Sequence, residues 1–420
     1  MSELDTTSIK IVRGKLEKLV EQCKTLLTDD FPYADSKAAL YALKAQAERL
    51  KTQADVIPST SMATRQQLRL HISYKLESLT YILGIITRSG AMRNNFEIYQ
   101  PFKLICSKFF EEETHFILSS EWNYTPFTYP MNLQELPDFI IIGLPAPESN
   151  NVLIFPAAGH ELGHSVWLKR NLSERYSGEI FVEANEFLEN NTGIINSLLP
   201  PATEGQADLF AKQIKEQFLS DVTASCLRQL EELFCDFIGL RLFGEGYLHA
   251  FRYLVAPGDG SQRSTNYPQT KERAKFLQAY GARIGAHIDN YADDFMDGRD
   301  RRNLAYEHFV LRAADFVRDK HVEEMYLTAT KCTEEAGIVV NEAVSAQEIA
   351  MAFKYFENGM PLDSVGSIGH LISAAWRMFL QTDHVKPTKG TQSVMGYVSD
   401  LVLKSVEAYD FKKAMKSAQR

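Results

Sequence analysis

The sequence predicts an α+β protein, mostly helical, with a small sheet placed ahead of a helix that carries two histidines. Three observations predict it. Apolar residues recur at spacings of three and four before residue 90 and again beyond residue 156. Between about 113 and 155 the texture changes to short β-rich runs punctuated by prolines. No internal repeat or low-complexity tract interrupts either pattern. The 420 residues are 45% hydrophobic and 24% charged, the composition of an ordinary globular protein. A chain of this length buries about three-quarters of its unfolded surface and makes roughly one to three domains. The expected division is an N-terminal helical region over 1–95, a central region over 96–285 and a C-terminal helical region over 286–420.

In order along the chain, residues 8–28 place Ile9, Val12, Leu16, Leu19, Cys23 and Leu26 on one helical seam, ended by Asp29-Asp30-Phe31-Pro32. A second helix over 35–56 repeats the spacing with Leu40, Leu43, Ala47 and Leu50. A third over 64–88 carries Leu68, Ile72, Leu76, Leu79, Ile82, Ile85 and Ile86. Short loops at Asp29-Asp30 and Pro58-Ser59-Thr60-Ser61 suit antiparallel neighbours, and two or three heptads favour an intramolecular helical subdomain over a partner-binding coiled coil. Strands are expected at His115–Ser120, Phe139–Ile142 and Asn151–Phe155. Helices then resume, with interruptions near 254–270 and 383–391. Among them, Leu230, Leu233, Phe234, Phe237 and Ile238 mark a buried helix running to Gly244.

Charge and cysteine content exclude several function classes. Forty-five Lys and Arg against 54 Asp and Glu give −9, so the basic footprint of a nucleic-acid or anionic-membrane surface is lacking. The five cysteines are odd in number, widely spaced and without a C-x-x-C pair, which argues for a reducing compartment over a disulfide scaffold. The opening MSELDTTSIKIVRGK has no signal-peptide core, and no apolar run approaches the roughly 20 residues of a membrane span. A cytoplasmic location is expected, with the oligomeric state left open.

Residues 160–164 read His-Glu-Leu-Gly-His. On a helix His160 and His164 stand one turn apart on one face, so both imidazoles reach a single metal ion, and Glu161 lies beside it as a base for a bound water. Chance supplies on the order of 0.02 such patterns in a chain of this composition. Zinc needs a third protein ligand and an open position. Glu232 is the leading candidate, because Asp236 lies one turn on and can accept the spare ring N–H of a ligand histidine. Glu183, nineteen residues after His164, is the rival, with Phe187 rather than a carboxylate one turn on. Cys235 reads as a core thiol, His249 as a packed helix residue and Trp376 as core. His287, His308, His321, His370 and His384 show no ligand spacing. Tyr247, Tyr253 and Tyr267 are candidate oxyanion donors.

Taken together, His160-Glu161-x-x-His164, Glu232-x-x-Cys235-Asp236 and Asn266-Tyr267-Pro268-Gln269-Thr270-Lys271-Glu272-Arg273 resemble a gluzincin metallopeptidase. The pattern is similar to the CAAX-prenyl-protease and HtpX-like group and its soluble relatives, over about residues 153–280. Cys235 stands where that group has Ala, and Tyr267 where it has His; Pro268 and Arg273 match. The resemblance implies a zincin-like catalytic core over 96–285. It also implies one Zn²⁺ on His160, His164 and Glu232, Glu161 as general base, Asp236 behind a ligand ring, and Tyr267 and Arg273 as transition-state stabilisers. The substrate would be a peptide or protein, seated on an edge strand at 139–143 or 151–155. The Glu183-Ala184-Asn185 stretch also resembles the ImmA/IrrE-type peptidases, although Phe181 occupies their acidic-ligand position. The alternative function is a zinc-binding regulator or scaffold without proteolysis.

Overall fold

The computed structural model describes residues 3–31, 33–57, 60–90, 97–110, 114–121, 126–129, 136, 138–198, 207–258, 263–300, 305–340, 344–364, 367–381 and 393–418. Of the expected features, Pro58-Ser59, Pro130, Pro137, Asp259-Gly260 and the break at 383–391 lie outside them. The chain forms two compact units, Met1–Asn150 and Asn151–Arg420. It is a mostly helical α+β protein with its small sheet ahead of the histidine helix, as the sequence predicts.

The first unit opens with α1 (Glu3–Leu26), α2 (Ala34–Val56) and α3 (Met62–Ser89), each within a few residues of its expected bounds. Leu40, Leu43, Ala47, Leu50 and Ala54 of α2 are buried, the 3-4-3-4 stripe in full. They pack with Leu16, Leu19 and Cys23 of α1 and with Ile72, Leu79, Ile82 and Ile86 of α3 in one core. The three helices therefore cover one another's apolar faces. Ser61 caps α3 by accepting from the Thr64 amide. After α4 (Tyr99–Phe109) come β1 (His115–Glu121), β2 (Phe127–Tyr129) and β3 (Phe139–Pro145). The order is β1-β3-β2, with β1 parallel and β2 antiparallel to β3. β3 is buried along its whole length, which its unbroken Phe-Ile-Ile-Ile run predicts for a strand covered on both faces. It is also the central strand, paired with β1 along its length and with β2 at Ile141–Gly143.

The expected third strand at 151–155 is instead a 3-10 turn, Val152–Ile154. Asn151 accepts from the Leu153 amide at 3.1 Å, folding the chain back on itself where a strand would extend. Trp376 donates its indole N–H to the Leu153 carbonyl at 2.9 Å, so this turn is built into the core of the second unit.

That unit contains α5 (Ala157–Lys169), α6 (Leu172–Asn190), α7 (Thr192–Leu198), α8 (Ala207–Phe243), α9 (Glu245–Val255), α10 (Thr270–Arg283), α11 (Ala305–Glu335), α12 (Ala346–Glu357), α13 (Ile368–Leu380) and α14 (Val394–Ala418). The 37-residue α8 is its axis, packed against α5, α6, α10, α11 and α13. Gly244 stops it: a φ of 55°, open to glycine without a steric cost, turns the chain directly into α9. Among the described residues no helix is long and apolar enough to cross a membrane.

Candidate metal centre

The site is built where α5 crosses α8. Gly159 and Gly163 line the crossing, one turn apart on α5. A Cβ on Gly163 would lie 2.7 Å from Cys235 Cα, and one on Gly159 would lie 2.8 Å from the Phe243 ring. Only glycine lets the two backbones approach this closely. The pairs run in opposite directions, Gly159 against Gly239 and Gly163 against Cys235, so the helices are antiparallel. An advance of four on one then matches a retreat of four on the other, and His160 and His164 face Asp236 and Glu232 in turn.

His160 Nδ1 lies 3.0 Å from Asp236 Oδ1, and His164 Nδ1 lies 2.8 Å from Glu231 Oε1. The two Nε2 atoms turn towards the remaining carboxylate. His160 Nε2 is 3.4 Å from Glu232 Oε2, and His164 Nε2 is 3.7 Å from Glu232 Oε1. Each ring thus has one nitrogen held by a carboxylate and the other aimed at Glu232. With both Nδ1 atoms protonated and donating, the Nε2 lone pairs are free for a metal, the arrangement in which carboxylates orient histidine ligands. Two ligands of a tetrahedral zinc with bonds of about 2.0–2.1 Å lie roughly 3.4 Å apart. The separations of 3.4 and 3.7 Å from the two rings to Glu232 lie close to that spacing. One donor atom each from His160, His164 and Cys235 also falls within 4.8 Å of the others, so this group can hold a metal ion.

Asp236 is the hub behind the site. It is fully buried and accepts Arg273 Nε and Nη2, both at 2.8 Å, and the Tyr247 hydroxyl at 2.6 Å, besides its contact with His160. Burial works against its charge, but Arg273 and His160 outweigh it and hold the carboxyl far below the usual range. Burial likewise opposes a charge on His160, yet Asp236 and Glu232 overcome it and lift the imidazole to about 10. This corner of the protein attracts a cation. Glu161, 6% exposed on the next helical position, is pushed up by burial, with His160 and His164 partly offsetting the rise. Cys235 lies against Gly163 in the helix interface, and burial with Glu231 and Glu232 pushes its thiol well up.

The sequence-predicted residues separate into two groups. His160, Glu161, His164, Glu232, Asp236 and Arg273 come together. Arg273 commits its guanidinium fork to Asp236, and its Nη2 lies 3.4 Å from Glu232 Oε2. Tyr267 is half-exposed at the rim, its phenol raised chiefly by the charge of Glu232. Glu183 is elsewhere: its Oε2 faces His321 Nε2 of α11 at 3.3 Å. His249 packs against Trp376, as expected, with ring centroids 5.4 Å apart. Sequence reasoning missed Glu231 and the Tyr247–Asp236 bond. Counting would have found Glu231, since two ligand histidines need two acceptors and a third carboxylate for the metal, and positions 231, 232 and 236 supply all three. No known protein family matches the chain, and no curated protein or solved structure matches it either.

Proposed function

We propose that the protein is a zinc metallopeptidase of the gluzincin kind, with His160, His164 and Glu232 as ligands of one Zn²⁺. The convergence of both Nε2 atoms on Glu232, with each Nδ1 held by its own carboxylate, carries this reading. Glu232 is preferred to Cys235 because the cysteine side chain lies against Gly163 at the helix crossing. A zinc ion held there supplies Lewis acidity, polarising a scissile carbonyl and acidifying a water.

The chain's own residues do the rest. Glu161 takes a proton from the attacking water at its carboxylate and returns it to the departing amine nitrogen. Its burial serves this, because a carboxyl raised by desolvation is a stronger base than an ordinary carboxylate. Asp236 and Glu231 keep the Nδ1 protons of the two rings and so fix their tautomers and planes. Arg273 and Tyr247 hold Asp236 in turn, which makes them positioning residues. Tyr267, half-exposed and within reach of the charge of Glu232, is the proposed donor to a developing oxyanion, and the substrate is an accessible peptide segment.

The deciding experiment follows a library of quenched-fluorescent peptides and denatured casein, with zinc content measured on the same preparations. Wild-type protein should cleave and should lose cleavage to a chelator. Glu161→Gln should keep its zinc and lose about 10²–10⁴-fold in rate, the loss of a general base. Zinc bound with no cleavage by wild type would leave the non-proteolytic regulator standing. No zinc bound at all would remove both readings.

A further inference from the structure

Glu183, the rival zinc ligand, belongs to a different constellation. We propose that α6 and α11 hold a second divalent-metal site, formed by His321 with Glu179 and Glu183, its ring oriented by Glu324. The two helices pack antiparallel. The Tyr176 hydroxyl meets Thr328 Oγ1 at 2.8 Å, Glu183 meets His321 at 3.3 Å, and the Phe187 and Phe316 rings meet at 5.3 Å. Each step along α6 is thus matched by a step back along α11. Glu179 and Glu183 stand one turn apart on α6, and His321 and Glu324 three residues apart on α11, which places all four along one seam. One donor atom each from Glu179, His321 and Glu324 lies within 4.8 Å of the others.

The histidine points to a ligand. His321 is 4% exposed, yet its Nε2 makes no hydrogen bond, and neither does the buried Oε2 of Glu183 that it faces. Buried polar atoms are costly without partners. Two atoms that sit 3.3 Å apart and do not bond to each other are served by a cation that both can coordinate. The other ring nitrogen, Nδ1, is 3.3 Å from Glu324 Oε2, the orienting contact a ligand imidazole keeps. Lys320 Nζ approaches Glu183 at 3.6 Å and Glu186 at 4.0 Å, over the Phe316 ring. It supplies one positive charge at the rim and can remain with Glu186. An imidazole with carboxylates suits a borderline first-row ion such as Zn²⁺ or Co²⁺ better than Mg²⁺ or Ca²⁺, which take oxygen alone. The site does not depend on the peptidase reading.

Calorimetric titration with Zn²⁺ alone, on full-length protein with circular dichroism as a folding control, tests it. Wild type should take up two equivalents, His164→Ala one, His321→Ala one and the double variant none. Should His321→Ala fail to fold, Glu179→Gln and Glu324→Gln on the rim replace it, each weakening the second equivalent about tenfold or more. Co²⁺ bound to His164→Ala should show ligand-field bands without a thiolate charge-transfer band. If folded His164→Ala binds no zinc, or if Glu179→Gln and Glu324→Gln leave its affinity unchanged, the second site is wrong. Loss of the first site alone would show instead as a wild-type equivalent that His164→Ala does not remove.

Discussion

Two buried aspartates, one in each unit, have nearly the same neighbours and very different consequences. Asp35 accepts the Tyr99 hydroxyl, Lys103 Nζ at 2.7 Å, His115 Nδ1 at 3.0 Å and the Phe116 amide at 2.9 Å. Asp236 accepts the Tyr247 hydroxyl, the Arg273 fork and His160 Nδ1. Tyrosine, cation and histidine on one carboxylate is therefore not in itself a chemical site. What differs is the rest of the histidine. The His115 ring stacks on Phe139, centroids 4.6 Å apart, and the cluster ties α2 and α4 to β1. His160 turns its Nε2 to Glu232, beside a second histidine held in the same way. The first hub fastens secondary structure, and the second aims the Nε2 of His160, as Glu231 aims that of His164.

Zinc affinity should break the likeness most sharply. Glu232→Ala removes a proposed bond to the metal and should weaken Zn²⁺ binding by about a thousandfold or more, roughly 4 kcal/mol. Asp236→Ala should weaken it about 10–100-fold, because only the ring's tautomer and orientation are loosened. Asp35→Ala should leave it unchanged. At this centre Glu183→Ala should also change nothing. Titration of each folded variant against a competing chelator gives the ranking. A loss in Asp35→Ala equal to that in Asp236→Ala would mean that the contrast between the hubs is false.

The close crossing of α5 and α8 gives the next effect, felt in stability. Gly163→Ala would put a methyl 2.7 Å from the Cys235 backbone, which cannot yield as a flexible side chain would. Overpacking of this kind costs about 1–3 kcal/mol. Gly14→Ala, on α1 with nothing within 4 Å, should instead stabilise by roughly 0.5–1 kcal/mol through helix propensity. Thermal unfolding of the two variants should therefore move in opposite directions. Equal shifts would show that the helices separate at little cost.

Local pattern made much of this legible. The 3-4 stripes of α1 to α3 and the Phe-Ile-Ile-Ile run of β3 follow from side-chain period alone, which needs no knowledge of partners. His160, Glu161 and His164 were legible for the same reason, since one helical turn fixes their relation. Glu232 and Asp236 were legible as a pair because a buried helix rarely carries two carboxylates on one face. What escaped depended on contacts between distant segments. Residues 151–155 look like a strand, but the Asn151 side chain and Trp376, over 220 residues away, make them a turn. Glu231 and Tyr247 take their roles from the register of α8 against α5 and α9. Glu183 stood at a plausible separation from His164, and only the packing of α6 on α11 shows that it faces His321.

The last effect concerns the acid limb of stability, and it separates fastening from chemistry in the first hub. Burial works against the charge of Asp35, while Lys103, Tyr99 and His115 more than offset it, so the folded carboxyl titrates below its ordinary 3.8. A group lowered on folding contributes stability that is complete above its unfolded value and is lost as pH falls through the folded one. Asp35 should therefore add to stability at pH 5–7 and progressively less below about pH 4. Asp35→Asn keeps the shape but gives up the charge, and it should cost about 1–3 kcal/mol at neutral pH, the worth of hydrogen bonds to a charged group. As pH falls through the folded value of Asp35 the variant and the wild type should converge, because the wild-type carboxyl then loses its charge as well. Denaturant unfolding of the two proteins from pH 7 to pH 2, read by tryptophan-independent circular dichroism, measures the gap at each pH. A gap that stays constant over that range would mean the hub works through shape and neutral hydrogen bonds, and that its resemblance to the Asp236 cluster does not extend to charge.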